Sequence, residues 1–315
     1  MKTWLSEDRL RILVPTLSLA VLAVVVFWVQ PRTMSYTGLN LLFNLAVPIA
    51  LATLAQMVIM SVNGLDLSMG AFVSFVACVC GTFLQTAPLL GALILVGCVA
   101  VYAGLGVLIA ARNLPSIVVT LGMSFIWSGF AVALLPSPGG VPPAWLTDLM
   151  GSKPPFVPMA IIASVGIALI AHLLLMRSSF GVIIRGVGGN EKAVSRAGWS
   201  VLRARATAYA IGGFFAVLSG MTLVGLTTSA DANIALRYTL LSIAGVILGG
   251  GEFVGGRVSA IGAVVGALTL TLAGSLLSFL RISPDWQIGA QGAILILVLA
   301  LRVLLNRRRA TVDAS

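Results

Sequence analysis

The chain has 315 residues, of which 59% are hydrophobic and only 9% charged, and it carries a formal charge of +10. An average soluble domain is about a quarter charged, so this composition excludes a water-soluble globule and suits a chain whose solvent is lipid. The positive charge does not point to nucleic acid, because thirteen of the 19 basic residues fall in three patches between apolar runs, as in the loops of a membrane protein.

A membrane span needs about 20 mostly apolar residues. In chain order, such runs lie near 12–30, 40–62, 69–87, 89–111, 115–135, 156–176, 207–227, 238–253, 256–280 and 287–305. The first follows Lys2, Arg9 and Arg11. It is longer than a signal-peptide core of about 7–15 residues and no small-residue cleavage site follows it, which predicts a retained span. With the basic N-terminus inside and the runs alternating, the patch Arg177, Arg185, Lys192, Arg196, Arg203 and Arg205 falls inside, as does the tail with Arg302, Arg307, Arg308 and Arg309. The expectation is an all-α, polytopic transmembrane bundle of about ten spans, one domain over 1–315, with both termini cytoplasmic.

Two breaks interrupt the apolar pattern early and late. Residues 59–75 read IMSVNGLDLSMGAFVSF and residues 247–264 read ILGGGEFVGGRVSAIGAV. Each is an apolar run, a Gly-containing break with one acidic residue, and a small-residue helix, a weak internal repeat of the kind found around transport paths. Asn63, Asp66 and Ser68 in the first break and Glu252 in the second are candidates for lining that path, since acidic groups at membrane depth are costly. Asp66 reads equally as a cap for the helix that follows. Glu252 reads as a local partner of Arg257.

Between these breaks, the six prolines of 136–155 predict a stiff external loop. The segment 177–206 predicts a cytoplasmic loop carrying a short polar helix. Gly188-Gly189-Asn190 marks a turn, Asn190 caps the start, Glu191 suits the positive end of the helix dipole, Ala193 lies in the first turn and Gly198 ends it. Such a helix is a docking surface for a soluble partner.

Enzymatic chemistry has few possible members. The single His172 and the apolar-run thiols Cys78, Cys80 and Cys98 give no metal-ligand spacing, so neither metal nor cofactor is expected. None of the three lysines follows Gly, so the chain has no phosphate-binding P-loop, and any ATP must be bound by another subunit.

Four motifs, in order, then carry a resemblance. Gly64-Leu65-Asp66-Leu67-Ser68-Met69-Gly70 resembles the GxDLSVG signature of ribose/xylose/galactoside-type ABC permeases. Leu114-Pro115-Ser116-Ile117-Val118-Val119-Thr120-Leu121-Gly122 resembles their PxFIVTLG segment. Phe180-Gly181 followed by Gly188 through Ala193 and Gly198 is similar to their cytoplasmic loop, and Gly249 through Gly266 to their late Gly-rich block. Glu252-Phe253 and Met69 depart from the family pattern. The resemblance implies a multi-pass inner-membrane subunit that moves a monosaccharide and is not itself an enzyme. It implies a cytoplasmic ATPase docked on 188–203, a periplasmic sugar-binding protein, a second permease subunit and surrounding lipid, with no role for nucleic acid. A branched-chain amino-acid-type permease and an ion-gradient-driven carrier, with Asp66 and Glu252 binding protons or sodium, are the alternatives.

Overall fold

A computed structural model describes residues 7–283 together with Trp286, Gly289, Gly292 and Ala293. Apart from Gly289, Gly292 and Ala293, the expected run at 287–305 lies outside the described residues, as does the basic tail. The helices are α1 (Glu7–Val29), α2 (Tyr36–Phe43), α3 (Ala46–Met60), α4 (Met69–Thr86), α5 (Pro88–Arg112) and α6 (Ser116–Leu134). They continue as α7 (Ala144–Gly151), α8 (Met159–His172), α9 (Ser179–Arg196), α10 (Val201–Thr227), α11 (Tyr238–Leu248) and α12 (Ala260–Phe279). The described residues form no strand, only an isolated antiparallel bridge between Gly139 and Ala230.

Polar caps set the starts of α2, α9, α10 and α12. Ser35, Ser178, Ser200 and Ser259 accept from the backbone N–H three residues on, satisfying donors that the first turn leaves open. Asn113 and Thr228 end α5 and α10 in the left-handed conformation.

Every residue of α3 is buried, and α10 lies against α3, α4 and α5. A helix apolar all round belongs at the centre of a bundle. The outward faces of α5 and α6 carry Leu93, Val96, Val118 and Phe125, which is the surface a lipid-immersed bundle presents. Where helices cross closely the residues are small. A Cβ on Gly266 would come 2.1 Å from Gly245 O, and one on Gly213 would come 2.7 Å from the Tyr102 Cβ.

Seven helices or helix pairs among the described residues are long and apolar enough to cross a membrane: 36–60, 69–86, 88–112, 116–134, 159–177, 201–227 and 260–279. The run expected at 238–253 is broken instead. α11 has 11 residues, about 16 Å of helix against a hydrocarbon core of about 30 Å. It stops because Gly249–Gly251 turn the chain, Gly250 with φ +89°. The apolar part of α1 is similarly short, Pro15–Val29. The proline-rich segment is not loop throughout. Pro143 starts α7, whose Leu146 packs on Gly225 of α10.

Candidate functional site

The two breaks meet a third irregular segment, and this junction is the candidate site. After α3, Asn63 adopts φ +57°, and Gly64 N–H donates back to Ile59 O at 3.0 Å. This left-handed turn aims the Asn63 amide outward. Its Nδ2 donates to Gly188 O of α9 at 2.8 Å, and its Oδ1 accepts from Gly255 N–H of the second break at 3.0 Å. One exposed side chain therefore ties segments 125 and 192 residues away.

The approach is close enough to require glycine. A Cβ on Gly188 would stand 2.1 Å from Ser61 O and 2.8 Å from Gly256 Cα. Gly256 has φ +65°, and a Cβ there would stand 2.1 Å from Arg185 O. Gly188 and Gly256 thus let α9 seat directly on the backbone of both breaks.

Within the first break, irregular backbone needs partners that lipid cannot supply. Side chains supply them. Leu65 N–H donates to Ser116 Oγ and Leu67 N–H to Thr120 Oγ1, both at 3.0 Å, and Thr120 Oγ1 donates to Leu65 O at 3.1 Å. Gln56 of α3, with its amide nitrogen toward Asp66 O and its oxygen toward Asp66 N, pairs with both backbone groups at 3.2 Å.

Asp66 is fully buried. Its Oδ1 accepts from Ser68 N–H at 2.7 Å and Ser68 Oγ at 2.6 Å, and its Oδ2 accepts from Tyr102 Oη of α5 at 2.7 Å. Three donors satisfy the carboxylate, which makes Asp66 the clasp between the break and α5. Its cap-like bonds go to Ser68, one residue before α4 begins.

In α9 the helix is interrupted at Asn190, with φ −159° and ψ 95°. Asn190 Oδ1 accepts from Ala193 N–H at 3.0 Å, so a second short helical segment starts there, and Gly198 at φ +85° lies just beyond its end. Glu191 pairs with Arg205 of α10, tying this segment to the central helix. Arg185 donates to Gly181 O and Met176 O, holding the turn into α9.

Glu252 lies 3.8 Å from Arg257, whose backbone O also accepts from Glu252 N–H. Both side chains are partly exposed. The structure therefore brings Asn63 and Gly188 together, joins Asp66 to Ser68, and leaves Glu252 with its own neighbour. Gln56, Tyr102, Ser116, Thr120 and Gly255 are further members of the junction. The signal for Gln56 was a lone amide in the stretch 45–60, whose one other polar side chain is Thr53. Among the described residues no three His, Cys, Asp or Glu side chains converge.

The chain matches known proteins over most of its length. A family model described as "Branched-chain amino acid transport system / permease component" matches residues 38–299. The galactose/methyl galactoside import permease protein of Salmonella typhimurium is 28% identical, over 98% of this chain and 97% of its own. The ribose import permease protein of Escherichia coli K12 is 27% identical over 94% of this chain and 93% of its own. A probable ABC transporter permease protein of Sinorhizobium fredii is 28% identical over 89% and 86%. No solved structure matches the chain.

Proposed function

Because the chain belongs to the family of permease components described for branched-chain amino acid transport systems, we propose that it is the membrane-spanning subunit of an ATP-driven importer, and that its cargo is a monosaccharide. The subunit moves cargo and performs no chemistry on it. A cytoplasmic ATPase binds the segment 188–203, with Gly188, Gly189, Asn190, Glu191, Ala193 and Gly198 shaping its contact surface. A periplasmic binding protein delivers the cargo, and a second permease subunit completes the path across the inner membrane. About ten spans with both termini in the cytoplasm put the basic patch 177–205 beside the ATPase.

The observation that carries this reading is the Asn63 amide, which spans from Gly188 of α9 to Gly255 of the second break. A push on α9 is transmitted to both interrupted helices through one side chain and a glycine contact. Coupling of this kind needs contacts that differ between two states, and hydrogen bonds at a broken helix can be exchanged cheaply. Cargo class rests on the galactose and ribose permeases, which align over nearly the whole chain. An amino-acid cargo is the second reading, favoured by the words of the family description.

Reconstitution tests the proposal. Proteoliposomes holding this chain with its genomic-neighbour ATPase and binding protein are expected to accumulate radiolabelled ribose or galactose only when ATP is inside the compartment that the ATPase faces. Accumulation by the chain alone under a proton or sodium gradient contradicts it. Accumulation of leucine but neither sugar selects the second reading.

A further inference from the structure

A cavity of about 570 Å³ lies between the chain after α1, the starts of α2, α3 and α11, and the last turns of α12. Both breaks adjoin the other ends of α3, α11 and α12, so the junction does not use this space. Its lining changes with depth. At the helix ends stand Arg32, just before α2, Arg237, at the start of α11, and Ser278, near the end of α12. Leu241 lies one turn deeper on α11, Ile49 lies one turn into α3, and Leu270 lies about 12 Å along α12 from Ser278. Ile49 and Leu270 are buried. Leu41 and Leu45 also line the cavity but are exposed, so its apolar wall opens sideways onto the surface that a bilayer covers.

The charge at the rim is of one sign. Among the described residues no Asp or Glu lines the cavity, and neither Arg32 nor Arg237 is in an ion pair. Both are exposed, and both lie outside the three basic patches of the sequence. α11 begins beside Arg237 without a side-chain cap, which adds the positive end of its dipole. On α12, Thr271 Oγ1 donates to Ala267 O at 2.9 Å and Ser275 Oγ to Thr271 O at 3.0 Å. Either hydroxyl can turn and donate to an anion instead.

A small anion would meet the arginines and leave the apolar depth empty. A neutral hydrocarbon would fill the depth and leave the guanidinium groups to water. A zwitterionic lipid would bring an ammonium with no acid to receive it. We propose that the cavity holds an anionic phospholipid, its phosphate between Arg32 and Arg237 and an acyl chain against Leu45, Ile49 and Leu270. Bound there, the lipid ties the chain before α2 to the start of α11 and closes the sideways opening. Only the bilayer setting of the chain is required, so a negative result here leaves the transport reading intact.

The full chain, purified in detergent and stripped of lipid, is titrated with dioleoyl phosphatidylglycerol and dioleoyl phosphatidylcholine and followed by native mass spectrometry and thermal unfolding. The first phosphatidylglycerol is expected to bind about tenfold more tightly than phosphatidylcholine, and to raise the unfolding midpoint where phosphatidylcholine does not. The double variant Arg32→Gln with Arg237→Gln is expected to bring that ratio to about twofold or less, and Arg32→Lys with Arg237→Lys, which keeps both charges, to retain most of it. Should the glutamine pair fail to fold, Arg32→Gln and Arg237→Gln singly are each expected to bring the ratio to about threefold. Equal binding of the two lipids by the unaltered chain, or an undiminished ratio in the glutamine variants, overturns the assignment. So does displacement of phosphatidylglycerol by millimolar inorganic phosphate, which marks a free-anion site, or by galactose or ribose, which marks a cargo site. Ready disulfide formation between two chains carrying Ser275→Cys overturns it as well, because a second copy would then fill the space; the buried Cys78, Cys80 and Cys98 give little background.

Discussion

Replacing Gly188 by Val is expected to lower ATP-driven uptake by about a hundredfold at unchanged protein level. A Cβ at this position points at Ser61 O, 2.1 Å away, and at Gly256 Cα and N, 2.8 and 2.9 Å away. All three are backbone atoms, so no flexible side chain can yield. α9 must lift off the two breaks, and the 2.8 Å bond from Asn63 Nδ2 to Gly188 O is lost as it does. Strain plus a lost bond of roughly 3 kcal/mol corresponds to about that factor in any equilibrium needing the seated state. Gly189→Ala is the internal control. The nearest atom to a Cβ there is Gly255 O at 3.6 Å, ordinary van der Waals contact, and uptake within about twofold of wild type is expected. Immunoblotting of the membranes alongside uptake separates loss of coupling from loss of protein.

Asp66→Ala is expected to destabilise the chain by on the order of 3–5 kcal/mol, leaving Ser68 N–H, Ser68 Oγ and Tyr102 Oη without their acceptor. In detergent this reads as an unfolding midpoint lower by about 10 °C. Asp66→Asn behaves differently. Its side-chain oxygen can still accept from Ser68, and the Tyr102 hydroxyl can rotate to accept from the new amide, so a fall of only a few degrees is expected. The pair of variants also separates two roles. A clasp tolerates Asn, whereas a proton- or sodium-binding carboxylate does not. Sugar uptake retained in Asp66→Asn speaks for the clasp, and uptake abolished in both variants at full thermal stability speaks for an ion site.

The sequence made the helices legible where their causes are local. Apolar runs within the described residues became helices, and Asn190 and Gly198 acted within three residues of themselves. Glu252 and Arg257 were legible as neighbours because five positions separate them. The repeat at 59–75 and 247–264 was legible as a pattern, and both copies fold as helix, break and helix. What escaped was anything set by long-range approach. The partners of Asn63 are chosen by how α9 and the second break fold against it, and no local spacing encodes that. Gln56 and Tyr102 each sit alone among apolar neighbours, and only the assembled bundle shows that both serve Asp66. The span expected at 238–253 misled because Phe253 and Val254 sustain the hydropathy across Gly249–Gly251, where the backbone has already turned. Prolines hid α7, since the same residue that forbids a helix interior is well suited to begin one.

The most direct measurement is the number of ATP molecules hydrolysed per sugar imported by Asn63→Ala in the reconstituted assembly. The substitution removes both bridging bonds, and the bonds of Asp66 to Ser68 and Tyr102 do not involve Asn63. A ratio raised by about tenfold, with hydrolysis itself preserved, is the predicted result. A ratio equal to that of the unaltered chain would mean that force reaches the interrupted helices by some other contact.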